Sequence, residues 1–146
     1  HHAPMRQAFT HSWADERAPD KGAWQNLAMA SCEIPSQTVL ANEAGWRTYT
    51  AHPKELSRAQ AVAAIRNMAQ QMGRKAPALA TCPASVKASG LTCDTCPIQC
   101  DGQAYAATVG PSARRPLHVI NPVHGAAAVM ARYDARELLA AWQVAL

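Results

Sequence analysis

Four of the chain's five cysteines, Cys82, Cys93, Cys96 and Cys100, fall in one segment with the spacing C-x10-C-x2-C-x3-C, while Cys32 stands alone. A tetrahedral zinc site needs four soft or borderline donors ~2.3 Å from the ion, and a C-x2-C turn supplies two thiolates from one bend. Gly90 and Pro97 break regular structure on either side of that turn, which lets the chain wrap around an ion. Lys87 adds a positive charge that favours thiolates. Compact four-cysteine groups also hold iron–sulfur clusters, and free or oxidised cysteines would show the same spacing. Zinc is the expected occupant, with an iron–sulfur cluster as the alternative. A zinc held by four protein thiolates has no open position for a substrate, so its expected role is structural.

Outside that segment the candidates for chemistry are His11, His124 and Cys32. His124 closes the run Asn121-Pro-Val-His-Gly125, where the glycine permits a sharp turn out of a strand. Imidazoles exchange protons near neutral pH, so His11 and His124 are candidates for proton transfer or for a pH-sensitive contact. The plainer role for each is a hydrogen bond to a backbone carbonyl at its own strand end, and His118 reads the same way. Cys32 reads as a buried small hydrophobe or, alternatively, as a reactive thiol.

These groups need elements to position them. Residues 7–13, 27–32, 46–50 and 117–123 read as short buried strands, and 77–81 as an extended lead into the cysteine segment. Helices are predicted over 36–44, 58–72 and 134–145. The first starts at Pro35-Ser36, carries Val39, Leu40 and Ala44 as an apolar stripe, and stops at Gly45. The second has Ser57 as N-cap, Gly73 as stop, and Val62, Ile65, Ala69 and Met72 as its buried face. Arg66, Gln70 and Arg74 lie on another, solvated side. The third places Leu138, Leu139, Trp142 and Ala145 on one face.

Strand and helix alternate over 27–72, which implies parallel pairing through long crossovers. The expected fold is α/β: a small, mainly parallel sheet of four or five strands in partial-barrel-like βα units, with an irregular metal-binding segment at 82–102. In such sheets ligand-handling groups gather beyond the carboxyl ends of the strands. His11 with Ser12, Cys32, Thr50 with His52, and His124 would lie there. Parallel first and last strands would bring His11 and His124 to one edge, within reach of a common ligand or water.

A chain of 146 residues suits one domain. Residues 1–4 read as a tag remnant before a native start at Met5, and 5–146 as a single α/β domain with the 82–102 loop inserted. Hydrophobic residues make up 49% and charged residues 16%, a composition that excludes an intrinsically disordered chain. No apolar run approaches the ~20 residues of a membrane span, and no signal-peptide pattern opens the chain. With an odd number of cysteines, this points to a reducing cytoplasm and no membrane association. Fourteen Lys and Arg against ten Asp and Glu leave a formal charge of +4, which permits a nucleic acid or another acidic partner. Trp13, Trp24, Trp46 and Trp142 read as packing, because no basic–aromatic interleaving accompanies them. Arg114-Arg115 read as solvated or as a phosphate contact. No G-x-G-x-x-G, Walker loop, H-E-x-x-H or G-x-S-x-G occurs, so nucleotide hydrolysis, zincin proteolysis and α/β-hydrolase chemistry have no support.

Six short runs appear in order: Phe9-Thr10-His11-Ser12-Trp13, Met29-Ala30-Ser31, Gly45-Trp46-Arg47-Thr48-Tyr49, Cys82-Pro83-Ala84-Ser85, Cys93-x-x-Cys96-x-x-x-Cys100-Asp101-Gly102 and His124-Gly125. Together they resemble a group of uncharacterised phage and mobile-element proteins, similar to the phage gene-88-product family, over most of residues 9–125. The resemblance implies an α/β fold related to radical-SAM-type barrels. Members carry a further cysteine motif upstream, ending in a Gly-Cys-Tyr-Ala-like run. Only eight residues precede Phe9 here and none is Cys, so the resemblance places no radical-SAM cluster on this chain. The expected function is a phage or mobile-element accessory protein in the cytoplasm of a bacterial host: a zinc-stabilised, non-enzymatic module that binds a protein or nucleic-acid partner. The alternative is an enzyme or enzyme fragment of a radical-SAM-like barrel, with a strand-end site near His11 and His124.

Overall fold

A computed structural model of the chain describes residues 9–15, 25, 28–82, 89–92, 118–122 and 134–146. They form five strands and three α-helices: β1 (Phe9–Thr10), β2 (Met29–Cys32), α1 (Pro35–Glu43), β3 (Thr48–His52), α2 (Arg58–Gln71), β4 (Leu79–Thr81), β5 (His118–Pro122) and α3 (Ala135–Gln143). A 3-10 turn, Ser12–Ala14, follows β1. The strands make one sheet in the order β1-β2-β3-β5-β4, and each pairing is parallel. The α/β class with a small parallel sheet is therefore the fold of the described residues.

The elements begin and end where local chemistry dictates. Pro35 opens α1 at a position where its missing N–H costs nothing, and the Gln37 side chain reaches back to accept the Glu33 N–H at 2.8 Å. Gly45, at φ +84°, turns the chain out of α1. Ser57 caps α2 in a reciprocal pair with Gln60: the Ser57 hydroxyl accepts the Gln60 N–H at 3.1 Å, and the Gln60 side chain accepts the Ser57 N–H at 2.9 Å. Asp134 caps α3 by accepting the N–H groups of Arg136 and Glu137.

The sheet buries the face that its helices cover. Along β3 the residues Thr48, Thr50 and His52 are buried while Tyr49 and Ala51 are half-buried, the alternation of a pleated strand. Register places Ala30, Cys32, His118 and Ile120 on the same side as Thr48 and Thr50, beneath the helices. The main core joins Val39 of α1, Ala61, Ala64, Ile65 and Ala69 of α2, Ile120 of β5 and Trp142 of α3. A second cluster gathers Trp13, Ala30, Cys32, Ala41 and Trp46.

Several boundaries and faces differ from the sequence expectation. The first strand ends at Thr10 rather than running to 13, because Thr10 Oγ1 accepts the Ser12 N–H at 3.1 Å and turns the chain into the 3-10 segment that holds Trp13. The third strand covers Thr48–His52 instead of 46–50, since the Trp46 N–H is used on Ala41 O at 2.9 Å to close the end of α1. Residues 79–81, read as a lead, are the edge strand β4. The α1 stripe rotates: Thr38 Oγ1 and Thr50 Oγ1 share a buried hydrogen bond at 2.8 Å, which fixes Thr38 inward and leaves Leu40 and Ala44 exposed. In α2 the face centres on Ala61, Ala64 and Ile65, with Val62 and Met72 at its margin, because the small alanines allow close approach.

Candidate functional site

With every strand parallel, all five carboxyl ends emerge at one edge, and the described candidates sort themselves by what covers them there. At the end of β3, His52 is sealed. Its Nδ1–H donates to the Pro53 carbonyl at 2.9 Å, so Nε2 carries the lone pair, and it is buried without a hydrogen-bond partner among the described residues. The Trp142 ring meets the imidazole edge-on, centroids 6.2 Å apart, and the Trp142 indole N–H donates to Glu33 O at 2.9 Å. One indole from α3 thus covers the ends of β2 and β3. Burial lowers the His52 pKa against the opposing pull of the Pro53 hydrogen bond, and the Arg58 charge adds to the lowering, so the setting favours the neutral ring.

Cys32 ends β2, but its side chain lies in the core under α1 and not over the edge. Its Sγ–H points to Ala30 O at 3.8 Å, and burial pushes the thiol up to about 12 despite the nearby hydroxyls of Thr38 and Thr50. A nucleophile or metal ligand needs the thiolate, which this setting withholds. Thr50 is likewise committed, to Thr38. His118 begins β5 and so sits at the opposite, amino edge. There its Nδ1 shares a 2.9 Å hydrogen bond with Thr48 Oγ1, and burial lowers its pKa to about 4.

At the β1 side of the carboxyl edge, the described residues bring two groups together. His11 stands in the turn after β1, half-buried, with its Nδ1 3.8 Å from Oε1 of Glu33, the residue that follows β2. Trp13 fixes this turn from below, its ring buried and its indole N–H donating to Ser31 O at 3.2 Å. At 3.8 Å the two groups are too far apart for a hydrogen bond and close enough for an ion pair when the imidazole is protonated. A largely buried carboxylate beside a partly exposed imidazole can relay a proton or present paired acceptors to a cationic or hydrogen-bonding ligand. The sequence reading passed over Glu33. Its signal was its position, the first residue beyond the predicted strand 27–32, a place given instead to Cys32.

Across the sheet, Cys82 follows β4 directly. Its N–H donates to Ile120 O at 3.3 Å and its thiol is half-buried. Cys93, Cys96, Cys100 and His124 lie outside the described residues, as does the shared edge expected for His124. Among the described residues, no three His, Cys, Asp or Glu side chains converge as a metal-ligand set, and no helix is long and apolar enough to cross a membrane. Comparison of the chain with protein-family models, with curated proteins and with solved structures finds no match.

Proposed function

We propose that the chain is a phage or mobile-element accessory protein, non-enzymatic, whose partial-barrel-like α/β module is stabilised by zinc on Cys82, Cys93, Cys96 and Cys100 and binds a protein or nucleic-acid partner. The supporting observation is the setting of Cys82. Its backbone is tied to β5, while its thiol is only half-buried, unlike the packed-away Cys32. A metal ligand at that point would transmit the ion's hold directly to the sheet, and metal binding of this kind is coupled to folding. The resemblance to phage gene-88-product proteins, the spacing of the four cysteines and the charge of +4 support the same reading. Elemental analysis of protein purified without added metal tests it. One equivalent of zinc, lost in Cys82→Ser, is the expected result. Iron with brown colour would point to a cluster, and neither metal would refute the metal site altogether.

A second reading rests on the approach of His11 to Glu33 at the strand edge. In it the chain is an enzyme or enzyme fragment of a radical-SAM-like barrel with its site near His11 and His124. The double replacement His11→Ala/His124→Ala should then abolish ligand binding while leaving thermal stability nearly unchanged. A large loss of stability would return both residues to the scaffold.

A further inference from the structure

The chain's positive charge is not spread evenly. Between residues 54 and 75 stand Lys54, Arg58, Arg66, Arg74 and Lys75 against Glu55 alone, a net of four positive charges. That equals the formal charge of the whole chain, +4, so the remaining residues balance. This stretch is α2 with its flanks, and α2 itself holds no Asp or Glu. Its inner face is locked down by fully buried Ala61, Ala64, Ile65 and Ala69. Gln60, Arg66, Gln70 and Gln71 face solvent on the helix, and Arg74 and Lys75 are exposed just past its end.

We propose that the solvent face of α2 and the residues just past its end, centred on Arg66 and Arg74, dock the phosphate backbone of a nucleic acid. The proposal rests on the nucleic-acid branch of the function proposed above and assigns it a surface. Guanidinium, ammonium and carboxamide groups are those that contact phosphate and sugar, and no carboxylate on the helix opposes them. Fourteen residues make α2 ~21 Å long, comparable to about six base-pair rises along a B-form duplex axis. Arg74 pairs with Glu43 of α1, but both side chains are largely exposed. An exposed pair of this kind is worth ~1 kcal/mol or less, so a phosphate can replace the carboxylate. Arg66 is displayed on the helix itself, and Arg74, just past its end, is tied back to it by its N–H on Ala69 O at 2.8 Å.

Fluorescence anisotropy of a labelled 20-base-pair DNA duplex, titrated with the full chain between ~50 and ~200 mM salt, tests this. Wild type should bind, with affinity falling steeply as salt rises. Arg66→Gln/Arg74→Gln/Lys75→Gln should weaken binding at ~50 mM salt by about tenfold or more, and flatten the log–log salt slope by roughly 2–3. Arg66→Glu alone should act in the same direction while leaving the Arg74–Glu43 pair intact. Unchanged circular dichroism and melting temperature verify that both variants are folded. If wild type binds and both folded variants bind equally well with the same slope, the surface is wrong while a nucleic-acid partner stands. If the loss follows Arg114→Gln/Arg115→Gln instead, the surface is also wrong. Failure of wild type to bind at ~50 mM salt removes the nucleic-acid branch itself and leaves a protein partner.

Discussion

His11 and His52 occupy equivalent places in the fold, each at the carboxyl end of a parallel strand, yet their settings are opposite. His52 is buried beneath Trp142, its Nδ1 proton spent on the Pro53 carbonyl, and its pKa lowered by desolvation. His11 is partly exposed and faces the carboxylate of Glu33. The strand-end rule places a residue at the edge, but what lies above it decides whether it can meet a ligand. Here α3 covers the ends of β2 and β3 with one indole, while His11, just after β1, keeps partial exposure.

The comparison breaks first at Trp142. Trp142→Ala removes a fully buried ring and leaves Glu33 O without its donor, so unfolding stability should drop by about 3–5 kcal/mol in a urea titration. A loss below ~1 kcal/mol would mean that α3 does not seal the edge. Acid sharpens the same contrast. His118, with its pKa held at about 4, and His52, also lowered, bind a proton less readily folded than unfolded. Their contribution is therefore full above the unfolded value of ~6.5 and is lost as pH falls from there toward 4. For His118 this amounts to about 3 kcal/mol, readable as a falling urea midpoint between pH 7 and pH 4.5. His118→Gln should remove most of that slope, and an unaltered slope would contradict the assignment. The smallest effect belongs to His11. His11→Ala should change stability by less than ~0.5 kcal/mol, since the ring is half-exposed and too far from Glu33 for a hydrogen bond. A loss near that of Trp142→Ala would make His11 part of the scaffold after all.

The contrast between the two histidines also marks what the sequence could disclose. Caps and stops were legible because they depend on neighbours in the chain: Ser57 before α2, Gly45 and Gly73 at φ +84° and +66°. Parallel pairing followed from the alternation of strand and helix. Tertiary choices were not legible. Nothing local in residues 77–81 announced that β5 would return between β3 and β4 and make 79–81 a strand. The Thr38–Thr50 hydrogen bond, which turns Leu40 outward, joins two elements whose periodicity gave no hint of a polar contact. Cys32 and Glu33 are adjacent in sequence, and the pleat sends the thiol into the core while the carboxylate approaches His11. The cysteine spacing was the clearest signal in the chain, and of its four members the described residues include Cys82 alone.

Metal held at Cys82 should steady the end of β4 more than the rest of the sheet, and hydrogen exchange reads this most directly. Two amides serve: that of Cys82, bonded to Ile120 O at 3.3 Å, and that of Ala30, bonded to Arg47 O at 2.8 Å. Stripping the metal with a chelator should speed exchange at Cys82 by about tenfold or more and leave Ala30 within about twofold. Equal protection at both amides before and after chelation would contradict a zinc-stabilised module.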